Sequence, residues 1–244
     1  MKKTTITLIS ALVLPIGTTH ATENGHWGYS GNVSPEHWGS LDPSFGVCST
    51  GTNQSPINIE NFIDADLKKI IFDYQANTTD FVNNGHTVQV NFDSGSTISL
   101  EGKSYELKQL HFHTPSENLI HGKSFPMEAH FVHANNENEL AVIGILFEEG
   151  NDNEALASLL AIMPQQVDDR ESIDGLNIMS ILPTSKDYYR YNGSLTTPPC
   201  TEGVRWIVMK DSVQASAQQL NAFKKVMHEN NRPVQPKKAR PILE

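Results

Sequence analysis

Two histidines stand one residue apart in QLHFHTPSE, at 109–117, where the flanking residues are typical of a β-strand. Alternate side chains of a strand point to the same face, so His111 and His113 would share one face. A later segment, MEAHFVHAN at 127–135, supplies a third candidate, His130. If the two strands are neighbours, the three imidazoles can converge on one metal ion.

Gln109 and Glu128 make this metal interpretation more specific than a histidine pair alone. Each stands two positions before one of the histidines, on the same strand face, where it could accept the proton of the second ring nitrogen. Such partners fix the tautomer of a ligating histidine and raise its basicity. Three nitrogen ligands without a nearby fourth Cys or His predict an open zinc site with water in the remaining position, and open sites are catalytic. His133 has the wrong strand parity to join them and His121 lies in a predicted turn, so both are interpreted as structural.

The same residues allow a second metal interpretation. H-x-H-x-x-x-E, from His111 to Glu117, is the core of the cupin motif, in which three histidines and one glutamate hold iron or manganese. Gly102 and Gly122 do not fit the usual cupin glycine spacing, and His130 does not follow a Pro-x-Gly turn. These differences weigh against a cupin but leave the interpretation open.

Short apolar segments separated by turn residues make up most of the chain and predict strands. The clearest are 81–92, 96–113, 127–135 and 140–149. The last is almost continuously apolar, which is typical of a strand covered on both faces. We therefore expect a mainly β (α+β) fold with a large central twisted sheet, mixed but mostly antiparallel, and short peripheral helices.

Two of those helices are predicted by capping patterns. Asn151-x-x-Glu154 reads as a capping box before an apolar-periodic segment that ends at Pro164. Ser216-x-x-Gln219 repeats the pattern before a second segment with helical apolar spacing.

Residues 1–21 are typical of a secretory signal peptide. Two lysines precede an apolar run at 6–14, and small residues at 19–21 provide a cleavage site. That run is far shorter than the ~20 apolar residues that cross a bilayer, and nothing downstream approaches that length. We expect an exported protein, periplasmic or secreted, without a membrane span, in which 22–244 form a single domain.

The net charge and the cysteine content limit the classes of partner and the cellular compartment that we expect. The chain has 18 basic and 28 acidic residues, a formal charge of −10 that becomes −12 once the two leader lysines are removed. An acidic protein is a poor ligand for nucleic acid, so a small-molecule partner is expected. The two cysteines, Cys48 and Cys200, are most simply a disulfide in an oxidising compartment, with two separate buried thiols as the alternative.

Several segments together resemble one family, the α-class carbonic anhydrases. QLHFHTPSE, MEAHFVHAN and the SLTTPPC segment at 194–200 are similar to that family's metal-site and active-site segments. HWGY, QSPINI, NNGH, LAVIGI and NRPVQP are also similar to it and occur in the family's order, so the resemblance covers nearly all of 22–244. Thr114, Asn118 and Asn231 depart from the animal pattern and suggest a bacterial, exported branch.

The resemblance implies a zinc enzyme that reversibly hydrates CO2 to bicarbonate and a proton by attack of zinc-bound hydroxide. It implies three zinc ligands: His111, His113 and His130. It implies three acceptors for their outer nitrogens: Gln109, Glu128 and the carbonyl of Asn230. Thr196 would accept a hydrogen bond from the hydroxide and donate its own proton to Glu117, so that only a protonated, anionic ligand is selected.

The resemblance also assigns a substrate pocket and a route for the proton. The pocket residues would be Val132, Val142, Leu195, Trp206 and Thr197. His86 would carry the proton to solvent, since an imidazole titrates near neutral pH. Tyr29, Asn84, Gln89 and Thr197 would order or surround the connecting waters. Gln89 has the opposite strand parity to His86, so a bulge or twist is expected between them.

Further expectations follow from the same resemblance. Cys48 and Cys200 match a disulfide of secreted members, and cis bonds are expected before Pro56 and before one of Pro198 and Pro199. Sulfonamides and small anions would inhibit the enzyme, and a homodimer is compatible with the sequence. The alternative within the family is a carbonic-anhydrase-related binding protein without zinc, against which the three histidines, Thr196 and Glu117 argue.

Overall fold

The computed structural model describes residues 25–75 and 78–244, so the predicted signal peptide lies outside the described residues. Over these ranges the strands are β1 (Asn58–Ile59), β2 (Ile71–Asp73), β3 (Thr78–Asn83), β4 (Val88–Phe92), β5 (Thr97–Leu100), β6 (Lys103–His113), β7 (Leu119–Ile120), β8 (Met127–Ala134), β9 (Leu140–Glu149), β10 (Arg170–Glu171), β11 (Tyr188–Ser194), β12 (Glu202–Met209) and β13 (Val213–Ala215). The α-helices are α1 (Trp38–Leu41), α2 (Val47–Thr50), α3 (Glu154–Ala161) and α4 (Ala217–Met227). Short 3-10 helices occur at Gly31–Val33, Pro43–Phe45 and Ile178–Ile181.

One large sheet contains eleven of the strands in the described ranges. Its main path runs β10-β3-β4-β6-β8-β9-β12-β11, with β5 also beside β6, β2 beside β5, and β13 beside β9. Every pairing in it is antiparallel except those of β12 and β13 with β9. The predicted mixed, mostly antiparallel sheet with short helices is confirmed. The strands β1 and β7 form a separate parallel pair.

The central strand β9 is buried on both faces, as its apolar sequence predicted. Ile143, Ile145 and Phe147 belong to the larger apolar cluster, which includes residues of α3 and α4. Val142 and Leu146 point to the other face and belong to a second cluster. Because β9 has no polar face, both of its faces are covered by apolar side chains, and it pairs with β8 on one side and β12 on the other.

The two long helices begin at capping residues, but the first cap was predicted at the wrong residue. The helix α3 is capped by Asn153, whose side chain accepts a hydrogen bond from the Leu156 backbone N–H at 3.0 Å. Asn151, three residues before the start of α3, instead donates its side-chain amide to Gln214. A long-range contact therefore decides between two asparagines with similar local spacing. The Ser216 capping box of α4 is confirmed.

Cys48 and Cys200 form the predicted disulfide, which closes 152 residues of chain. The Cys200 backbone N–H donates to the Thr197 carbonyl at 2.8 Å, so the bridge lies next to the Thr196 loop. Both expected cis bonds, Ser55-Pro56 and Pro198-Pro199, are present, and Thr114-Pro115 is a third that was not predicted. Within residues 25–75 and 78–244, no helix has the length and apolar character needed to cross a lipid bilayer.

Candidate metal centre

The two segments that carry the candidate histidines are adjacent strands. In the antiparallel pairing of β6 with β8, His111 lies directly opposite His130, and His113 follows two residues later on the same face. One potential ligand atom from each of the three lies within 4.8 Å of the other two. The predicted convergence of three imidazoles is therefore present in the structure.

The outer nitrogens of His111 and His113 are held by oxygen acceptors. Nδ1 of His111 lies 2.7 Å from Oε1 of Gln109, one strand repeat away on the same face. Nδ1 of His113 lies 2.7 Å from the carbonyl oxygen of Asn230, which follows α4. Each acceptor receives a hydrogen bond from the Nδ1–H group of its histidine. The lone pair of each ring is therefore on Nε2, which is the atom left to bind a metal.

In His130 the roles of the two ring nitrogens are exchanged relative to His111 and His113. Its Nε2 lies 3.0 Å from Oε1 of the buried Glu128, which leaves Nδ1 for a metal. Oε2 of Glu128 accepts the backbone N–H groups of Glu117 and Asn118, each at 2.8 Å, and Oε1 accepts the Asn118 side-chain amide at 2.8 Å. One carboxylate therefore orients a histidine and also positions the segment that carries Glu117.

The three imidazoles are neutral. Burial lowers the pKa of His111 well below its ordinary value, and the neighbouring His113 and His130 lower it further. Burial also lowers the pKa values of His113 and His130. Nε2 of His113 is buried and has no hydrogen-bond partner among the described residues. An unpaired buried nitrogen is costly unless something binds it, and neutral nitrogen donors suit Zn2+. The residues present therefore fit a zinc ion.

Glu117 lies beside this cluster. Its Oε2 is 3.6 Å from Nε2 of His113, and its Oε1 accepts the Arg232 backbone N–H at 2.8 Å. Burial raises the pKa of Glu117 to about 8, while the Arg232 N–H and a hydrogen bond with Thr196 act in the opposite direction. The structure thus brings Thr196 and Glu117 into contact next to the three imidazoles.

A cavity of about 110 Å³ opens beside the cluster. Its lining residues are Trp27, Tyr29, Asn84, His86, Thr87, Gln89, Gln109, His111, His113 and Thr197. The polar residues predicted for the proton route, Tyr29, Asn84 and Gln89, therefore surround one space together with His86. Burial, and to a smaller extent the charge of Glu117, raises the pKa of Tyr29 well above its ordinary value, so Tyr29 is a neutral phenol.

His86 and Gln89 share this cavity without the irregularity that was expected between them. His86 lies in the turn between β3 and β4, and strand parity does not apply to it. The register is regular across Asn83↔Val88 and Val82↔Gln89, and the only shift in this pairing lies between Thr78 and Phe81. The expected bulge was wrong because the strand was taken to begin too early.

The apolar residues predicted for the pocket pack in one cluster: Val132, Val142, Leu195 and Trp206. Val142 and Trp206 are buried, and the Trp206 ring lies 4.9 Å from the His130 ring. These residues form an apolar wall next to the histidines. A larger cavity of about 550 Å³ lies between α3 and α4 and contains none of the predicted site residues.

The remaining core histidine has a structural environment, as predicted. Nε2 of His133 lies 2.7 Å from the Tyr74 hydroxyl, and burial lowers the pKa of His133 to about 3. His121 is exposed in a turn, with a φ of 50°.

The family model for eukaryotic-type carbonic anhydrase matches residues 33–244. The chain belongs to the α-carbonic anhydrase family. Carbonic anhydrase of Pectobacterium atrosepticum is 48% identical over 225 residues, which cover 91% of this chain and 92% of that relative. Carbonic anhydrase of Neisseria gonorrhoeae is 43% identical over 242 residues, covering 97% and 96%.

Solved structures agree with this assignment. The α-carbonic anhydrase of Thermovibrio ammonificans, in complex with the inhibitor sulfanilamide, superposes with a TM-score of 0.89 at 44% identity. The match covers 91% of this chain and all (100%) of that one. The cupin and zinc-free binding-protein interpretations are not favoured, because the bacterial relatives at 43% to 48% identity are carbonic anhydrases and the histidine cluster is intact.

Two features of this α-carbonic anhydrase were missed by sequence reasoning. Gly144 on β9 faces the Glu128 carboxylate, where any side chain would collide with it. Trp27 stacks on His86, with ring centroids 3.7 Å apart and planes at 4°. The special role of Gly144 could have been recognised from LAVIGI, where a glycine interrupts an apolar strand. The second feature pairs residues 59 positions apart, and no local pattern indicates it.

Proposed function

We propose that this protein catalyses the reversible hydration of CO2 to bicarbonate and a proton, with Zn2+ held by His111, His113 and His130. The observation that carries the proposal is the set of three neutral imidazoles whose outer nitrogens face acceptors. His113 and His130 are buried, and His111 is partly exposed to the cavity. Zn2+ bound by three nitrogens lowers the pKa of a coordinated water to about 7, so that a strong nucleophile exists at neutral pH. The protein must then orient the nucleophile, admit CO2 and remove the proton.

Thr196 and Glu117 would orient the nucleophile. Beside a bound Zn2+, Glu117 would be ionised despite its burial, because a nearby positive charge favours the charged carboxylate. An ionised carboxylate can only accept hydrogen bonds, so contact with Glu117 would commit the Thr196 hydroxyl proton to that carboxylate. The Thr196 oxygen can then only accept a hydrogen bond on its other side. It therefore selects a nucleophile that carries a proton and directs that nucleophile's free lone pair toward the substrate.

The apolar wall next to His130 would receive CO2. Carbon dioxide has no net dipole and gains little from polar groups, so an apolar surface is the suitable binding site. Val142 and Trp206 lie in this wall, and Val132 and Leu195 pack against it. Thr197, on the loop fixed by Cys200, lines the adjacent polar cavity.

His86 would take the proton to solvent. It lines the same cavity as His111 and His113, and it lies in a turn at the protein surface. Burial, with a smaller contribution from the charge of His26, lowers the pKa of His86 below its ordinary value. A lower pKa keeps His86 neutral and ready to accept a proton at physiological pH, and waters ordered by Tyr29 and Asn84 would connect it to the cluster.

The compartment, domain boundaries and inhibitors are part of the same proposal. Residues 1–21 would be removed during export to the periplasm or beyond, and 22–244 would act as one domain. The Cys48–Cys200 disulfide supports an oxidising compartment. Sulfonamides and small anions would inhibit the enzyme, as expected from the sulfanilamide complex of the Thermovibrio ammonificans enzyme. We also propose that a homodimer is compatible with activity.

The decisive test is stopped-flow CO2 hydration with metal analysis on the mature protein, His111→Ala and His121→Asn. The wild type should hold about one zinc per chain and be fast. His111→Ala should lose both zinc and activity, because two imidazoles do not complete the site. His121→Asn is the matched control, since His121 is exposed in a turn and should be dispensable for both.

Two results would contradict the proposal. Iron or manganese in place of zinc would indicate a different metal chemistry at the same three histidines. Zinc binding without CO2 hydration would indicate a binding protein. The His121→Asn control separates the losses expected of His111→Ala from a general effect of replacing a histidine.

A further inference from the structure

Four polar side chains form a continuous hydrogen-bonded chain along β3 and β4. Nδ2 of Asn91 donates to Oδ1 of Asp80 at 2.8 Å. Nε2 of Gln89 donates to Oδ1 of Asn91 at 2.7 Å. Nδ2 of Asn84 approaches Oε1 of Gln89 at 3.5 Å, which completes the chain with a longer contact.

The groups at both ends of this row of side chains determine which amide group donates and which accepts in each hydrogen bond. At one end, an ionised Asp80 can only accept, so Asn91 must turn its NH2 toward Asp80 and its oxygen toward Gln89. At the other end, Oδ1 of Asn84 accepts the backbone N–H groups of His86 and Thr87 at 3.0 and 2.9 Å. Backbone N–H groups can only donate, so Asn84 must turn its NH2 toward Gln89. The two ends require the same orientation of all three amides.

Asp80 is held in its charged form. Its carboxylate also pairs with Arg170 on the neighbouring strand β10. Partial burial raises the pKa of Asp80, but hydrogen bonds from Asn91 and Arg170 outweigh this and leave the pKa below its ordinary value. The Asp80 carboxylate therefore accepts the hydrogen bond from Asn91 throughout the neutral pH range.

The chain ends at the polar cavity beside the histidine cluster. Asn84, Gln89 and His86 line that cavity. In the pairing of β4 with β6, Gln89 lies opposite His111 and Asn91 opposite Gln109. The carbonyl oxygen of His86 accepts a hydrogen bond from the Asn230 side chain at 3.0 Å, so the His86 turn is held from two sides.

We propose that Asp80 and Asn91 are positioning residues that fix the orientation of Gln89 and Asn84, and through Asn84 the turn that carries His86. With Asp80 as acceptor, Gln89 presents its carbonyl oxygen toward Asn84 and the cavity. Without that acceptor, only the longer 3.5 Å contact with Asn84 still orients the Gln89 amide, so the reversed orientation becomes populated, in which an NH2 group of Gln89 faces the NH2 group of Asn84. Asn84 relieves this repulsion by rotating, and it loses the two backbone hydrogen bonds of the turn. This inference rests on the proposed function only for its effect on catalysis.

The test uses three variants of the full mature chain. Asp80→Leu removes the acceptor, whereas Asp80→Asn retains an oxygen that accepts from Asn91. Arg170→Gln removes the ion pair and leaves the acceptor in place. The first readout is hydrogen exchange of the His86 and Thr87 backbone amides, measured by NMR, which does not depend on activity. Asp80→Leu should accelerate both by about fivefold or more, as expected for loss of one net hydrogen bond. The other two variants should exchange as the wild type does.

The second readout is CO2 hydration with zinc bound. In Asp80→Leu, kcat at low buffer concentration should fall by about threefold to tenfold, with kcat/KM unchanged, because proton removal and not CO2 conversion is impaired. A high concentration of imidazole buffer should restore kcat. A variant that is merely unstable would lose zinc or kcat/KM as well.

Several results would overturn the inference. Unchanged amide exchange in Asp80→Leu would exclude a role for the chain in holding the turn. Equal acceleration in Arg170→Gln would assign the effect to the ion pair. If Asp80→Leu does not fold, Asn91→Leu breaks the chain one link closer to the cavity and should give the same exchange result. Absence of CO2 hydration in the wild type would contradict the proposed function but would not change the exchange prediction.

Discussion

Gly144 faces Glu128 so closely that a Cβ atom on the glycine would lie 2.8 Å from Oε1 of the carboxylate. Gly144 is also the residue directly opposite His130 in the pairing of β8 with β9. The absence of a side chain on β9 therefore provides the space in which Glu128 contacts the His130 ring.

Gly144→Ala should weaken zinc binding, because Glu128 must move and His130 loses its orienting acceptor. Loss of such an outer partner typically costs about 10-fold to 100-fold in metal affinity. Chelator competition on the purified protein measures the change. Gly46→Ala is the control, since its added methyl group meets nothing closer than 3.5 Å. Wild-type zinc affinity in Gly144→Ala would mean that Glu128 does not orient His130.

Glu117→Gln should retain zinc and lose catalysis. An amide can donate to Thr196, so the Thr196 proton is no longer committed, and misorientation of the nucleophile lowers kcat/KM by about 100-fold. Stopped-flow rates and zinc content of the same samples check this result. Loss of the metal from Glu117→Gln would instead make Glu117 a ligand, as in the cupin motif.

Trp27→Ala should raise the pKa of His86. Burial is the main cause of its lowered pKa, and Trp27 covers one face of the imidazole. Once exposed to water, the protonated ring is better solvated, and the pKa returns toward the ordinary value of about 6.5. An NMR titration of the His86 ring protons measures the shift, and Trp27→Phe retains an aromatic ring over the imidazole. A His86 pKa that is the same in Trp27→Ala and the wild type would contradict this explanation.

His133 should make the folded protein sensitive to acid. Its pKa is about 3 in the folded protein and about 6.5 when unfolded, so the unfolded chain binds one more proton between these values. The free energy of unfolding therefore falls as the pH drops through 6.5, by about 1.4 kcal/mol per pH unit from this residue, until about pH 3.

Urea unfolding of zinc-free wild type and His133→Gln at pH 6 and pH 4.5 isolates this contribution. The three metal-site histidines also have lowered pKa values, but they affect both proteins equally. The variant should lose less stability over this range. Parallel pH dependences would show that His133 is not the responsible group.

The sequence predicted the parts of this site that depend on strand periodicity. A two-residue repeat placed Gln109 with His111 and Glu128 with His130, and the structure shows both contacts. The apolar continuity of β9 likewise predicted its burial on both faces. These predictions succeed because the alternation of side chains is a local property of an extended backbone.

Contacts between distant segments could not be predicted from periodicity. Asn230 reaches His113 from the other end of the chain and was identified only through family resemblance. The choice of Asn153 over Asn151 as the α3 cap depends on Gln214, and the stacking of Trp27 on His86 depends on how the N-terminal segment packs. Each is decided by which distant residue occupies the available space.

The Cys48–Cys200 disulfide has a consequence for what a single proteolytic cut does to the molecule. The exposed turn at 136–138 between β8 and β9 is a natural cleavage point, and it lies inside the 152 residues that the bridge encloses. A single cut there would leave both fragments covalently joined and their strands still paired. A molecule cut once in this turn would keep its full mass until a reductant is added. The disulfide would therefore let the enzyme tolerate a cut that would separate the two fragments of a chain without it.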